Sequence, residues 1–140
     1  MIVVDTNVTS ELMRPSPSTT VTAWVRARTA TELYTTSITL AEVLYGIERL
    51  PGGRRKDVLK TTATDVFSAF ADQLLAFDAT AAVEYAGLVD SRERAGAPID
   101  GFDAQIAAIC RVHGATLATR NVKDFQDVGI EVVDPWCDNG

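Results

Sequence analysis

Asp5 ends a short β-branched run, Ile2-Val-Val4, and is followed at once by the small polar residues Thr6 and Asn7. A run of this kind reads as a buried parallel strand, and ligands of open α/β sheets collect beyond the carboxyl ends of such strands. Asp5 is therefore expected at an active-site rim. Further acids can approach that rim from separate segments: Glu42 in Ser37-Ile-Thr-Leu-Ala-Glu42, Asp103 in Pro98-Ile-Asp-Gly-Phe-Asp103, and Asp124 in Thr119-Arg-Asn-Val-Lys-Asp124. Carboxylates scattered in sequence but converging on one rim make a site for hard cations.

Each acid also has a structural alternative. Asp5 could cap the following helix, although Thr6 or Asn7 could do so equally well, and an acid ending a buried strand is costly without a partner or a metal. Thr39-Leu-Ala-Glu42 fits a capping box, in which the acid reaches back to the cap residue's N–H. Asp100 and Asp103 fall in the first turn of a helix, where the dipole favours acids whatever the function, and their i, i+3 spacing puts them on one face. Asp103 opens a run of small and apolar residues that reads as a tightly buried helix, which favours a ligand role over a solvated charge. Asn121 and Asp124 sit in a loop after a strand, where a turn role is the ordinary expectation. The lone His113 precedes Gly114 and reads as a helix-end cation, so neither a histidine-based triad nor a zinc site is expected.

The elements that must position these acids alternate along the chain. Strands are predicted at Ile2–Val4, Leu33–Ser37, Leu74–Phe77, Thr116–Thr119 and Ile130–Val133. Between them the spacing predicts a short helix to about Met13, ended by Pro15 and Pro17, and then helices over Thr19–Arg28, Thr39–Leu50, Arg54–Gln73, Ala79–Ala95 and Asp100–Val112. Such alternation implies an α/β fold: a mostly parallel sheet of about five strands covered by helices on both faces.

A chain of 140 residues, 46% hydrophobic, is expected to form one cored domain over 1–140. Every apolar stretch is interrupted by charge, and the start lacks a basic region followed by an apolar one; no membrane span or secretory signal is expected, and the location expected is cytoplasmic. The net charge of −6, from 19 acids against 13 bases, counts against a broad phosphate-contacting nucleic-acid binder. A nuclease is still compatible, because bound cations reverse the local sign. Arg54, Arg55, Lys56 and Lys60 form one basic cluster, read equally as a solvated helix start or an RNA contact; Arg120 and Lys123 form another. Cys110 reads as core, and Cys110 and Cys137 lack metal-ligand spacing.

Taken in order, Met1-Ile-Val-Val-Asp-Thr-Asn-Val, Ser37-Ile-Thr-Leu-Ala-Glu-Val-Leu-Tyr-Gly-Ile, Pro98-Ile-Asp-Gly-Phe-Asp-Ala-Gln-Ile-Ala-Ala and Leu117-Ala-Thr-Arg-Asn-Val-Lys-Asp-Phe resemble the PIN-domain ribonucleases. Within that family the chain looks most like the VapC or FitB-like toxins of bacterial toxin–antitoxin pairs, and the likeness extends to Val133-Asp-Pro-Trp136. The resemblance implies an Mg²⁺- or Mn²⁺-dependent endoribonuclease with a small DNA-binding, VapB-like antitoxin as partner, and frequently a homodimer. By position, Asp5, Glu42 and Asp103 match the family's acidic ligands. Where many members carry an acid just after Thr-Arg, this chain has Asn121, so Asp124 is the other candidate for the fourth place. Asp100 is auxiliary, and Thr6, Asn7 and Asn121 are candidates for orienting the carboxylates.

This ligand set suits Mg²⁺, which keeps several waters and takes one or two carboxylates from the protein. Asp5 and Asp103 would bind directly, Glu42 would act through water or orient the attacking water, and Asp124 would serve a second ion. Arg120 or Lys123 could contact substrate phosphate. The same resemblance suggests that an antitoxin arginine occupies the carboxylates while its peptide lies on the helix carrying Leu44, Tyr45 and Ile47. Competing readings are a receiver-like phosphoacceptor, which would need a lysine after a late strand, and a catalytically silent PIN-like module that binds RNA or protein, favoured only by Asn121.

Overall fold

The architecture is taken from a computed structural model, which describes residues 1–137. β1 (Ile2–Val4) is built from β-branched residues because both of its faces are covered. Val3 packs with Leu88, Ala107, Cys110 and Leu117 on one side, and Val4 packs with Val8, Val21, Trp24 and Ala118 on the other. Asp5, the first residue past the strand, turns the chain into α1 (Thr6–Leu12). Ser18 caps α2 (Thr19–Arg26), its Oγ accepting from the Val21 N–H at 3.3 Å. β2 (Leu33–Thr36) leads directly into α3 (Ser37–Glu48), against which α4 (Arg54–Ser68) packs through Val43, Ile47 and Ala63.

β3 (Leu74–Leu75) is followed by α5 (Ala79–Arg94), capped by Asp78, and α6 (Gly101–His113), capped by Asp100. α6 ends because Gly114 adopts φ 60°, the left-handed C-cap conformation that glycine takes without a Cβ clash. His113 stands in this last turn, as its sequence position predicts. β4 (Thr116–Ala118) and β5 (Val132–Val133) complete the sheet.

All pairings are parallel, in the order β3-β2-β1-β4-β5. The chain lays down β2 and β3 on one side of β1, then crosses over to place β4 and β5 on the other. The direction of progress reverses between β1 and β4, and such a reversal opens a crevice beyond the carboxyl ends of those two strands. Asp5 continues β1 there, its N–H bonded to the Ala118 carbonyl of β4 at 2.9 Å.

Several boundaries are shorter than the sequence pattern predicts. α4 stops at Ser68 instead of running to Gln73, because residues 69–73 wind into tight turns that bring the Gln73 carbonyl to the Thr35 N–H at 3.0 Å and so start β3. Strand two ends at Thr36, since that residue is already the cap of α3, and β5 keeps only Val132 and Val133 of the predicted Ile130–Val133. Among the described residues no helix is long and apolar enough to cross a membrane. Cys110 is fully buried and its thiol is pushed up to about 12 by burial, as a core cysteine should be; Cys137 is exposed.

Candidate active site

Asp5 is buried, only 4% exposed, and both carboxylate oxygens are held. Oδ1 accepts from the Thr6 N–H at 2.8 Å, which makes Asp5 the N-cap of α1, and Oδ2 accepts from Thr119 Oγ1 at 2.8 Å. Capping and rim placement are thus not alternatives; the same side chain does both. Thr119 Oγ1 also accepts from Asn7 Nδ2 at 3.0 Å and from the Asn121 N–H at 3.1 Å. With its lone pairs engaged, the hydroxyl has its single proton left to give to Asp5.

Glu42 lies in the second turn of α3 and does not form the capping box its sequence context suggests. The helix starts earlier: Thr36 is the cap, its Oγ1 accepting from the Thr39 N–H at 3.1 Å, so Thr39 is inside the helix and Glu42 is free to point elsewhere. Glu42 Oε1 accepts from Thr6 Oγ1 at 2.7 Å. Since Thr6 spends its only proton there, its 3.1 Å contact with Thr39 Oγ1 requires Thr39 to donate, and Thr36 in turn donates to Thr39 at 3.4 Å. A relay of hydroxyls from Thr36 through Thr39 and Thr6 therefore ends on the Glu42 carboxylate.

Asp103 is half-buried in the first turn of α6, whose following residues Ala104, Ile106 and Ala107 are wholly buried. Asp100, exposed one turn earlier, accepts from the Phe102 and Asp103 N–H groups at 3.1 and 3.4 Å. Asp5, Glu42 and Asp103 come together with Thr6, Asn7 and Asn121 around a cleft of about 530 Å³. Asp124 does not line this cleft. It is exposed on a 3₁₀ turn, Val122–Phe125, pinned by buried Phe125, but lies close enough for its charge to act on Asp5 and Asp103.

The carboxylates repel one another in a poorly solvated place. Burial pushes Asp103 up to about 7, with the charges of Asp5, Asp100, Asp124 and Glu42 adding to the shift. Asp5 is raised by burial and by Asp124 despite the opposing bonds from Thr119 and Thr6. Glu42 is raised by burial and by Asp5 and Asp100, against the bond from Thr6. Among the described residues none of these three forms an ion pair. Nor are any three Asp, Glu, His or Cys side chains drawn together into a ready-made metal cage. The arrangement is an open half-ring of oxygen donors, suited to a hydrated hard cation that takes few protein ligands.

Two bases also border the cleft. Arg14 is paired with Glu11 at 3.3 Å, and Arg120 stacks over Trp136 with its guanidinium carbon 5.0 Å from the ring centre. Lys123 lies on the same 3₁₀ turn as Asp124 and does not line the cleft. The sequence pattern marks neither Thr119 nor Thr36 as a site residue, and it casts Thr39 only as a helix cap. One signal was available for Thr119: it follows a strand as Asp5 follows another, and strand neighbours that end together share a rim.

A second, larger groove of about 820 Å³ begins at Thr6 and Glu42 and runs between α1, α3 and α4. Met13, Val43, Ile47, Leu50, Val58 and Leu59 give it an apolar floor, and Arg54 and Arg55 stand at its edge. The two arginines of the first basic cluster thus border this groove and not the carboxylate cleft, while Lys60 pairs with Glu48 at 3.3 Å. Of the helix residues predicted for an apolar surface, Ile47 lines the groove, whereas Leu44 and Tyr45 are exposed outside it.

Residues 2–131 match the PIN domain family. The chain is 36% identical over 137 residues to the VapC ribonuclease Y4jK of Sinorhizobium fredii, covering 97% of this chain and 98% of that protein. It is 35% identical over 139 residues to the toxin FitB of Neisseria gonorrhoeae, covering 99% of this chain and 100% of that one. The fold superposes on a chain of FitAB bound to a DNA fragment with a TM-score of 0.90 at 35% identity, over 97% of this chain and 96% of that one.

Proposed function

Because the chain belongs to the PIN-domain family, we propose that it is an Mg²⁺- or Mn²⁺-dependent endoribonuclease, the toxin of a toxin–antitoxin pair, acting at the cleft of Asp5, Glu42 and Asp103. The observation that carries this reading is the set of carboxylates, brought from the end of β1, from α3 and from α6 to the reversal point of a parallel sheet and left, among the described residues, without ion-pair partners. Burial first and mutual repulsion second raise the acids, and a divalent cation would relieve the repulsion. Similarity to a named VapC ribonuclease and to toxin FitB supports the substrate class and the biological role.

Asp5 and Asp103 would hold the ion. A cation bound there supplies Lewis acidity to the attacking water and to the substrate phosphate. Asp5 is kept in place by Thr6 and Thr119, so its orientation is set before any ligand arrives. Glu42 is anchored through Oε1 to Thr6, which leaves Oε2 to orient the attacking water and accept its proton; a carboxylate raised by burial is a better base for that transfer. Asn121, lining the cleft, would orient substrate or solvent with a neutral amide, and Asp124 would contribute charge from outside it.

The apolar groove between α1, α3 and α4 fits a segment of the antitoxin partner. It opens on Glu42, so an arginine from a peptide lying in it would reach the carboxylates and pair with them. A cytoplasmic homodimer loaded with antitoxin is the form proposed for the resting state. Purified toxin should cleave single-stranded RNA in Mg²⁺ or Mn²⁺, stop in EDTA, and lose cleavage in D5N with an unchanged circular dichroism spectrum. Cleavage that survives EDTA or D5N would reject the site. The amide of Asn121 in place of an acid is the one observation favouring a silent RNA-binding module; RNA binding by the purified protein without any metal-dependent cleavage would establish that reading instead.

A further inference from the structure

We infer that Arg120 is the residue that grips the substrate phosphate, and that Trp136 is the positioning residue that keeps it available. The inference rests on the ribonuclease reading and adds to it a named anion-binding group.

Arg120 borders a cleft whose walls also carry Asp5, Glu42, Asp103 and Glu11. A flexible cation among acids is expected to fall onto one of them, as Arg14 does onto Glu11 at 3.3 Å. Arg120 does not: among the described residues it forms no ion pair within 4.0 Å. Its guanidinium instead sits 5.0 Å from the centre of the Trp136 ring. Stacking engages the flat face of a guanidinium and leaves its in-plane N–H donors pointing outwards, where they match two oxygens of a phosphate.

Both partners are themselves anchored. The Arg120 N–H is bonded to Asn7 Oδ1 at 3.3 Å, and its neighbours Thr119 and Asn121 are tied into the Asp5 network. Trp136 packs against the core of Val4, Val8 and Trp24, and its backbone N–H donates to Asp134 Oδ1 at 2.9 Å. Glu11, the acid whose charge Arg120 feels, has its own oxygens occupied by Ser18 N–H at 2.8 Å and by Arg14. The indole therefore holds a positive charge beside the carboxylates without letting it neutralise them. A phosphodiester would then meet acids on one side and a preset guanidinium on the other.

The test measures binding of a fluorescein-labelled single-stranded RNA dodecamer by anisotropy, on a D103N background without cleavage, across a range of salt. R120A should weaken binding about tenfold and reduce the slope of log K against log salt by about 0.7, the loss of one phosphate contact. R120K should keep the slope but recover only part of the affinity, because ammonium neither stacks nor forks. W136L should weaken binding with the slope kept, and W136F should restore it. In the cleaving parent, R120A should raise KM with the melting temperature unchanged. Parent-like affinity and slope in R120A would overturn the assignment to Arg120, and equal affinity of W136L and W136F would overturn the role of Trp136. If neither D103N nor the parent protein binds or cleaves RNA in Mg²⁺, the ribonuclease reading falls, and this inference with it; if D103N alone fails to bind, an unchanged KM of R120A in the cleaving parent rejects the inference, as does binding by D103N alongside an indifferent R120A.

Discussion

Thr119 Oγ1 donates to Asp5 Oδ2 at 2.8 Å, joining the ends of β4 and β1 across the point where the sheet's order reverses. The hydroxyl is buried and also receives Asn7 Nδ2 and the Asn121 N–H, so one atom ties the first acid to the loop that carries Asn121.

Thr119→Val keeps the shape and removes that junction. The Asp5 oxygen and two donors would lose a partner in a place with little water, so unfolding free energy should fall by about 1–3 kcal/mol. Cleavage should fall more than stability implies, because Asp5 is no longer aimed. Thr119→Ser should recover both in a melting curve and a cleavage assay.

Glu42→Gln separates chemistry from structure. The amide oxygen can still accept from Thr6 Oγ1, and the α3 cap belongs to Thr36. The melting temperature should hold or rise as repulsion is relieved, while cleavage should drop by about 10²-fold or more, the range for loss of a general base. A stability loss with activity retained would make Glu42 structural.

The raised acids set a pH dependence with a definite sign. Asp103 sits at about 7 in the folded chain against 3.8 for the ordinary carboxyl, so between those values the folded state holds the extra proton. The metal-free protein should therefore lose stability as pH climbs from about 4 to about 7 and level off above. Asp103→Asn should remove most of this slope and raise the melting temperature at pH 8 by roughly 3 °C, a modest value because solvent screens a half-exposed group. Mg²⁺ should stabilise the parent at pH 8 and progressively less below pH 6, as protons compete for the same oxygens. Calorimetry with and without EDTA checks both slopes.

Val58→Glu addresses the groove between α1, α3 and α4. Val58 is 54% exposed and lines that groove away from the acids, so a charge there should leave the fold and RNA cleavage intact. Complex formation with a co-expressed antitoxin should weaken by at least tenfold, and cleavage should escape inhibition. Tight, inhibitory binding by the variant would place the antitoxin elsewhere.

The sequence by itself determined the alternation of strands and helices, the strand-end position of Asp5, the buried run that follows Asp103 in its helix and the helix-end position of His113. These are local properties: β-branched runs, apolar spacing and a glycine after a helix act within a few residues of chain. Tertiary structure decided what Glu42 does, because a one-turn shift in the start of α3 moved the cap from Thr39 to Thr36 and turned the acid towards Thr6. It also put Asn121 in the cleft wall and Asp124 outside it, a distinction that depends on how the turn at Val122–Phe125 is pinned by Phe125. The junction at Thr119 and the stack of Arg120 on Trp136 join groups from different elements. Their partners are chosen by strand order and packing distance, which no pattern along a single segment records.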